Sequence, residues 1–272
     1  MDRTLSLSTL PEVQLVAPPL AKVVMQVRYS LTAALTTEAA EFALSELLSR
    51  YPVRRRDIGA SMQFLLVPGP PQLGRQETVL QFESADGTWR TSVSESAVSL
   101  ETSAYENRAD FISRCVELFE AVAQVALPPI VDRVGLRYVD RLTGDDLARL
   151  PQYVVAPLRG LAGSLAPDLV LQHSITDSVI TFDGDSAMQL RSGLLPPQTS
   201  FDPLLVGIPE PSWLLDMDAY SLRGGSPFDV AQLRTRLTRY AEAAYSCFRY
   251  AMTDTFQTQY KQESSGVSGG TA

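Results

Sequence analysis

Three arginines recur at every fourth position of the segment Ile130–Leu142: Arg133, Arg137 and Arg141. Successive side chains of a β-strand alternate between the two faces of a sheet, so these three would share one face. Aligned guanidinium groups can bind a carboxylate or a phosphate through paired hydrogen bonds. The stripe is therefore a candidate site for an anionic ligand.

Two carboxylates could join this site or neutralise it. Asp216 and Asp218 alternate with Leu215 and Met217, so they would share one face of a second strand. Opposite charges on neighbouring strands commonly pair, with little gain in stability where they are exposed. Two interpretations stay open, a ligand site or ion pairs that only join strands. The acids that the stripe could meet are Asp216, Asp218, Asp183 and Glu101.

The sequence contains few of the residues and motifs that catalytic sites usually need. His173 is the only histidine, and it lies in the strand-like run Leu169–Ile175, where we expect a structural role. There is no CxxC pair and no glycine loop of the phosphate-binding kinds, so we expect no metal ion and no cofactor. An enzyme that uses Asp216 or Asp218 as an acid, a base or a metal ligand is a weaker alternative, because paired acids seldom catalyse alone.

Composition narrows the class of partner. The formal net charge of −8 argues against nucleic acid, which is bound by basic surfaces. The opening residues MDRTLSLSTL lack the apolar core of a secretion signal, and no apolar run is long enough to span a membrane, so we expect a cytoplasmic protein. Cys115 and Cys247 fall on apolar helical stripes and are predicted to be core residues without a disulfide.

Landmarks that recur in the same order predict two copies of one structural unit. Each half opens with a strand that contains an Arg-Tyr pair, continues through an Asp-Gly turn of the kind found in tight hairpins, and reaches a similar hexapeptide before a long amphipathic helix. The matched pairs are Val23–Ser30 with Ile130–Leu142, Asp86-Gly87 with Asp183-Gly184, and Leu100–Tyr105 (LETSAY) with Leu215–Tyr220 (LDMDAY).

The fold class that follows is α+β. Each half would run β-α-β-β-β-α, over residues 1–128 and 129–260, and residues 261–272 would form a disordered tail. Hairpins joined to helices predict mainly antiparallel sheet with the helices packed on one face. A further helix is predicted near Thr36–Tyr51 with Thr36 or Thr37 as its N-cap. The proline-rich stretch Leu194–Pro211 is predicted to be a long loop.

The segment Arg133–Leu142 (RVGLRYVDRL) is the most specific motif of the chain. Together with four other segments, it resembles a sporadically distributed bacterial family of uncharacterised proteins of similar length. These segments are Pro18-Pro19-Leu20 before VVMQVRY, Ser99–Tyr105 before Phe111, LLDMDAY, and Thr253-Asp254. The likeness covers nearly the whole chain. The patchy distribution of that family implies accessory genes, such as those for phage defence or toxin control.

The function expected at this point is a binding protein without catalysis. Its first candidate ligand is a protein partner, which neighbouring genes could encode, and the resemblance implies an accessory role in defence or toxin control. A homodimer is also plausible, because exposed sheet edges invite pairing. The alternative is a small-molecule sensor or carrier that holds an anion between the two halves, at the arginine stripe.

Overall fold

The computed structural model describes residues 4–13, 15–16, 18–60, 76–166, 168–200 and 205–261. Its main feature is one ten-stranded sheet in which neighbouring strands run antiparallel. Seven α-helices accompany the sheet within these residues. The predicted class, α+β with a mainly antiparallel sheet, is confirmed.

The first half contains five strands and two long helices. Strand β1 (Leu20–Tyr29) leads through a 3-10 turn at Ala33–Thr36 into helix α1 (Glu38–Leu47). Thr37 is the N-cap, since its side chain accepts a hydrogen bond of 3.1 Å from the backbone N–H of Ala40. The remaining elements are β2 (Val53–Ala60), β3 (Gln76–Glu83), β4 (Trp89–Ser94), β5 (Ala97–Thr102) and α2 (Arg108–Val125).

The second half replaces the single early helix with three short ones. Strand β6 (Ile130–Leu142) has the bounds that the sequence predicts. It is followed by α3 (Gly144–Ala148), α4 (Leu150–Tyr153), α5 (Ala156–Arg159), β7 (Ser174–Phe182), β8 (Ser186–Leu195), β9 (Ser212–Ser221), the short β10 (Ser226–Pro227), α6 (Val230–Ala251) and α7 (Asp254–Tyr260). The proline-rich stretch Leu194–Pro211 was predicted to be a long loop; its first two residues, Leu194 and Leu195, belong to β8, and its other described residues connect β8 to β9.

One strand from each half forms the middle of the sheet. The strand order is β2-β3-β4-β5-β1-β6-β9-β8-β7, and β10 also pairs with β6. Val23 lies opposite Tyr138 and Met25 opposite Leu136 across the central β1–β6 pair. The sheet is thus continuous across the boundary predicted between residues 128 and 129.

The element order differs from the predicted β-α-β-β-β-α. Four strands follow α1, because the basic run Arg54–Arg56 belongs to strand β2. Three arginines in succession show none of the apolar alternation by which a strand is recognised in a sequence. The Asp-Gly turns are where they were predicted, between β3 and β4 and between β7 and β8.

Helices cover one face of the sheet and form the main core with it. Helix α6 packs on β6 and β9 and lies beside α2, which in turn contacts α1. Cys115 on α2 and Cys247 on α6 are both buried and free, as predicted. Within the described part of the chain, no helix is long and apolar enough to cross a membrane.

Two predictions need correction at the ends of elements. The strand expected over Leu169–Ile175 begins only at Ser174, so His173 lies exposed in the preceding connection. An apolar run alone does not make a strand, which also needs a partner for its backbone groups. Lys261, assigned to the tail, pairs with Leu15 in an isolated bridge. The rest of the predicted tail, residues 262–272, lies outside the described residues.

Candidate functional site

The arginine stripe is joined to the two predicted aspartates. Arg137 on β6 donates from Nε to Oδ1 of Asp216 at 2.7 Å and from Nη2 to Oδ2 at 2.8 Å. Arg191 on β8 binds the same carboxylate, with Nε and Nη2 at 3.0 and 2.6 Å from Oδ2. Asp216 is 1% exposed and Arg137 is 4% exposed, so this cluster is shielded from water.

The other members of the stripe have different partners. Arg133 lies 3.3 Å from Asp218 through Nη2 and stands 4.8 Å above the ring of Tyr220. Burial raises the pKa of Asp218, and the Arg133 charge opposes that rise. Arg141 is separate from the carboxylates and donates to the backbone oxygen of Val206 at 3.1 Å. The structure therefore brings four of the five predicted site residues together and places Arg141 apart.

Ion pairs of the same kind continue across the first half of the sheet. Glu83 on β3 accepts from Arg90 on β4 at 2.7 Å and lies 3.5 Å from Arg55 on β2. Glu101 on β5 lies 3.3 Å from Arg90 and 2.9 Å from Lys22 on β1. We call the set Arg55, Glu83, Arg90, Glu101 and Lys22 the ion-pair ladder.

These contacts are the ones expected if the arginines and acids form ion pairs that join neighbouring strands. Within each half of the sheet, basic and acidic side chains pair across neighbouring strands, so each guanidinium described above already has a carboxylate or a carbonyl as its acceptor. A ligand that bound the stripe would have to compete with these internal acceptors. The proposed role of the stripe in binding an anion stays a prediction.

A second site lies on the helix-covered face of β6 and was missed at the sequence level. Asp140 alternates with Tyr138 and Leu142, so its carboxyl group points into the apolar side of the sheet. It lines a pocket of about 140 Å³ between β6, β9, α6 and the residues that lead into α2. The sequence signal that could have indicated this site is an acidic residue, Asp140, on the face of β6 that is otherwise apolar.

Asp140 is an isolated acid. Its residue is 3% exposed, and no group among the described residues forms a hydrogen bond or ion pair with its carboxyl group. Burial raises the pKa of Asp140 to about 8, because an apolar surrounding disfavours the charged form. The group is therefore predominantly a neutral carboxylic acid at pH 7, able both to donate and to accept a hydrogen bond.

Aromatic side chains form much of the pocket wall. Tyr105, Tyr138, Tyr245 and Phe248 line it, and the rings of Tyr105 and Tyr138 meet edge to face at 5.7 Å. The hydroxyl of Tyr138 is buried beside that of Tyr105. Burial raises the pKa of Tyr105 to about 12, so this hydroxyl also stays protonated. The carboxyl group of Asp140 is thus the polar group without a partner in this apolar pocket.

The N-terminal segment closes one side of this pocket. We call residues 4–13 the N-terminal strap, which lies along α6 and contributes Glu12 and Val13 to the lining. The backbone N–H of Val13 donates to the hydroxyl of Tyr245 at 2.7 Å, and Glu12 accepts from Arg108 at 2.8 Å. The strap is therefore held on α6 and at the start of α2.

Groups for other kinds of chemistry do not converge in the described residues. No three His, Cys, Asp or Glu side chains there could hold a metal ion together. Burial raises the thiol pKa of Cys115 well above its usual range and that of Cys247 to about 12, so neither forms a thiolate readily.

No family model, curated protein or solved structure matches the chain. The resemblance to a bacterial family stays a prediction.

Proposed function

We propose that this protein is a non-enzymatic binding protein whose ligand is a small molecule held in the Asp140 pocket. The observation that carries the proposal is the unpartnered, buried carboxyl group of Asp140 beside a cavity. Buried polar groups in folded proteins nearly always have hydrogen-bond partners, and each exception calls for an explanation. A bound ligand would provide the missing partner for Asp140.

The pocket size supports a small ligand. A cavity of about 150 Å³ lined by apolar side chains can hold a benzene molecule, and the Asp140 pocket measures about 140 Å³. Apolar walls with a few convergent polar groups are typical of small-molecule sites. A small-molecule ligand, one of the two classes considered from the sequence, is therefore retained. Its proposed site lies on the face of β6 opposite to the arginine stripe.

The two-unit organisation is part of this proposal. We infer that β1 and β6 are equivalent strands, because β5, β4 and β3 follow β1 outward as β9, β8 and β7 follow β6. The pocket draws Tyr105 and Arg108 from one side of residue 128 and Tyr138, Asp140 and Tyr245 from the other. This supports a ligand that sits between the two units.

Ligand-observed NMR with a library of ring-sized fragments tests the proposal. Ala244 lines the pocket and is buried, so Ala244→Leu would fill the cavity from within. We expect fragments that bind the wild type to lose binding in Ala244→Leu while the fold is kept, since filling a cavity is commonly stabilising. Fragments that bind both proteins equally, or none that bind the wild type, would overturn the proposal.

A protein partner is the second candidate. The outer strands β2 and β7 end the sheet, and each presents exposed apolar side chains, Ile58 on β2 and Val179 on β7. Open edges of this kind favour strand addition by another chain or by a second copy. Light scattering of the purified protein tests self-association, and a pull-down from the native host with intact mass spectrometry tests a partner encoded nearby. A monomer recovered alone would count against both.

A further inference from the structure

The charges that line the Asp140 pocket favour a cation over an anion. Asp140, Glu12 and Glu106 are acidic, and Arg108 is the basic residue of the described lining. Arg108 already lies 2.8 Å from Glu12 and 3.8 Å from Glu242. Its charge is therefore balanced, and an anionic ligand would meet no uncommitted positive group there.

The aromatic walls favour the same ligand charge. The face of an aromatic ring attracts cations, with a gain of about 0.5 to 2 kcal/mol that depends on exposure. The ring of Tyr245 has the guanidinium groups of Arg108 and Arg249 each 5.8 Å from its centre. Tyr105, Tyr138 and Phe248 line the same pocket, and no arginine or lysine of the described residues stands over their rings.

We propose that the Asp140 pocket binds a small organic cation, a primary ammonium group on an apolar body the size of a benzene ring, and that Asp140 is its counter-ion. This inference rests on the proposed function and deepens it by assigning the ligand class. The ammonium group would donate hydrogen bonds to the Asp140 carboxylate, and the apolar body would lie among the aromatic rings.

Binding would change the protonation of Asp140. The free protein holds the neutral acid at pH 7, because burial raises its pKa to about 8. An ammonium ion that enters the pocket stabilises the carboxylate, so the acid proton passes to the solvent and one ion pair forms. The other titratable groups facing the pocket, from the strap, the segment before α2, β6 and α6, are Glu12, Tyr105, Glu106, Arg108, Tyr138 and Tyr245.

Titration calorimetry with benzylamine and benzyl alcohol tests the ligand class, because the two probes share one ring and differ in charge. We expect the wild type to prefer benzylamine by about tenfold, as for a charge-assisted hydrogen bond of about 1.4 kcal/mol. At pH 6, titrations in two buffers of different protonation enthalpy should show about one proton released. Asp140→Asn should bind both probes equally, whereas Glu120→Gln, which removes an exposed acid of α2 outside the pocket lining, should keep the preference.

Each result has a separate meaning. If neither probe binds the wild type, the cation inference is overturned, and the proposed function is overturned with it only if the fragment library shows no binding either. If benzyl alcohol binds as tightly as benzylamine, the pocket function stands and the cation inference fails. A preference that persists in Asp140→Asn removes Asp140 as the counter-ion. The carboxyl ¹³C resonance of Asp140 gives the same answer without a variant, since it must shift to the ionised position when benzylamine is added.

Discussion

Asp216 binds two arginines from the strands on either side of it, Arg137 on β6 at 2.7 Å and Arg191 on β8 at 2.6 Å. Asp216 is 1% exposed, so water solvates its charge very little and the two arginines balance that charge. One acid therefore connects three neighbouring strands of the sheet through side chains.

Asp216→Asn should destabilise the fold more than removal of either arginine alone. It leaves two guanidinium groups without their carboxylate, and breaking a buried pair from one side costs about 3 to 5 kcal/mol. Arg191→Met leaves Asp216 paired with Arg137, so its effect should be smaller. Urea unfolding measures both. Asp177→Asn, an exposed acid on β7, is the control and should change the free energy of unfolding by less than about 0.5 kcal/mol. A loss below about 1 kcal/mol in Asp216→Asn would contradict the structural role assigned here.

Asp140→Asn should stabilise the protein in a pH-dependent way. The pKa of the folded state is about 8, whereas an unfolded aspartate titrates near about 3.9. Between these values the folded state holds the extra proton, so wild-type stability falls as the pH rises, by at most about 1.4 kcal/mol per pH unit. Asparagine does not titrate. The advantage of the variant should therefore grow from pH 4 to pH 8 and level off above it, which urea titrations across this range measure. A difference that is constant with pH would show that the carboxyl is ionised in the folded state.

Gly193→Ala should loosen the edge strand β7. A Cβ atom at Gly193 would lie 2.0 Å from the backbone oxygen of Ser174 and 2.8 Å from Cα of Ile175, so β7 would have to move. We expect a loss of about 1 to 3 kcal/mol, as for other overpacked sites, and faster hydrogen exchange along β7.

Gly184→Ala is the matched control for this effect. Gly184 has φ of 72° and open space around it, so alanine there adds local backbone strain of about 1 kcal/mol without crowding a strand. Hydrogen exchange within β7 should then change only at the turn. Equal exchange profiles for the two variants would refute the crowding argument.

Tyr245→Phe should loosen the N-terminal strap at Pro11 and Val13. The Tyr245 hydroxyl accepts from the N–H of Val13 at 2.7 Å and donates to the backbone oxygen of Pro11 at 3.3 Å. Loss of these bonds should cost about 0.5 to 1.5 kcal/mol and speed proteolysis within residues 4–13. Tyr250→Phe, on the same helix and without a hydrogen bond from its hydroxyl in the described residues, should leave the cleavage rate unchanged. Equal cleavage of both variants would show that other contacts hold the strap.

The sequence predicted elements wherever one periodicity dominated. The bounds of β6 and the cap at Thr37 followed from alternation and from a local side-chain bond. Strand β2 was not predicted, because three consecutive arginines show no apolar alternation. Its identity as a strand follows only from its pairing with β3. Arg191 was not predicted as a partner of Asp216, because that contact depends on which strand lies beside β9.

Asp140 is an example of a candidate site that the residue spacing of one strand does not reveal. Its position on the apolar face of β6 followed from the same alternation that grouped the arginines, but its isolation did not. Whether a buried acid has a partner depends on α6, on the strap and on the segment before α2, which reach the pocket from distant parts of the chain. Spacing along one strand cannot carry that information.

Strand β6 completes its pairing only late in synthesis. Its partner β1 precedes it, with Val23 and Tyr138 more than 100 positions apart, and its other partner β9 ends at Ser221. Closing loops of that length slows folding. A nascent chain that has reached only the proline-rich connection therefore carries β6 with one edge bare and Asp140 on a face that α6 does not yet cover. We expect such a chain to be prone to aggregation until α6 has been synthesised and covers this face.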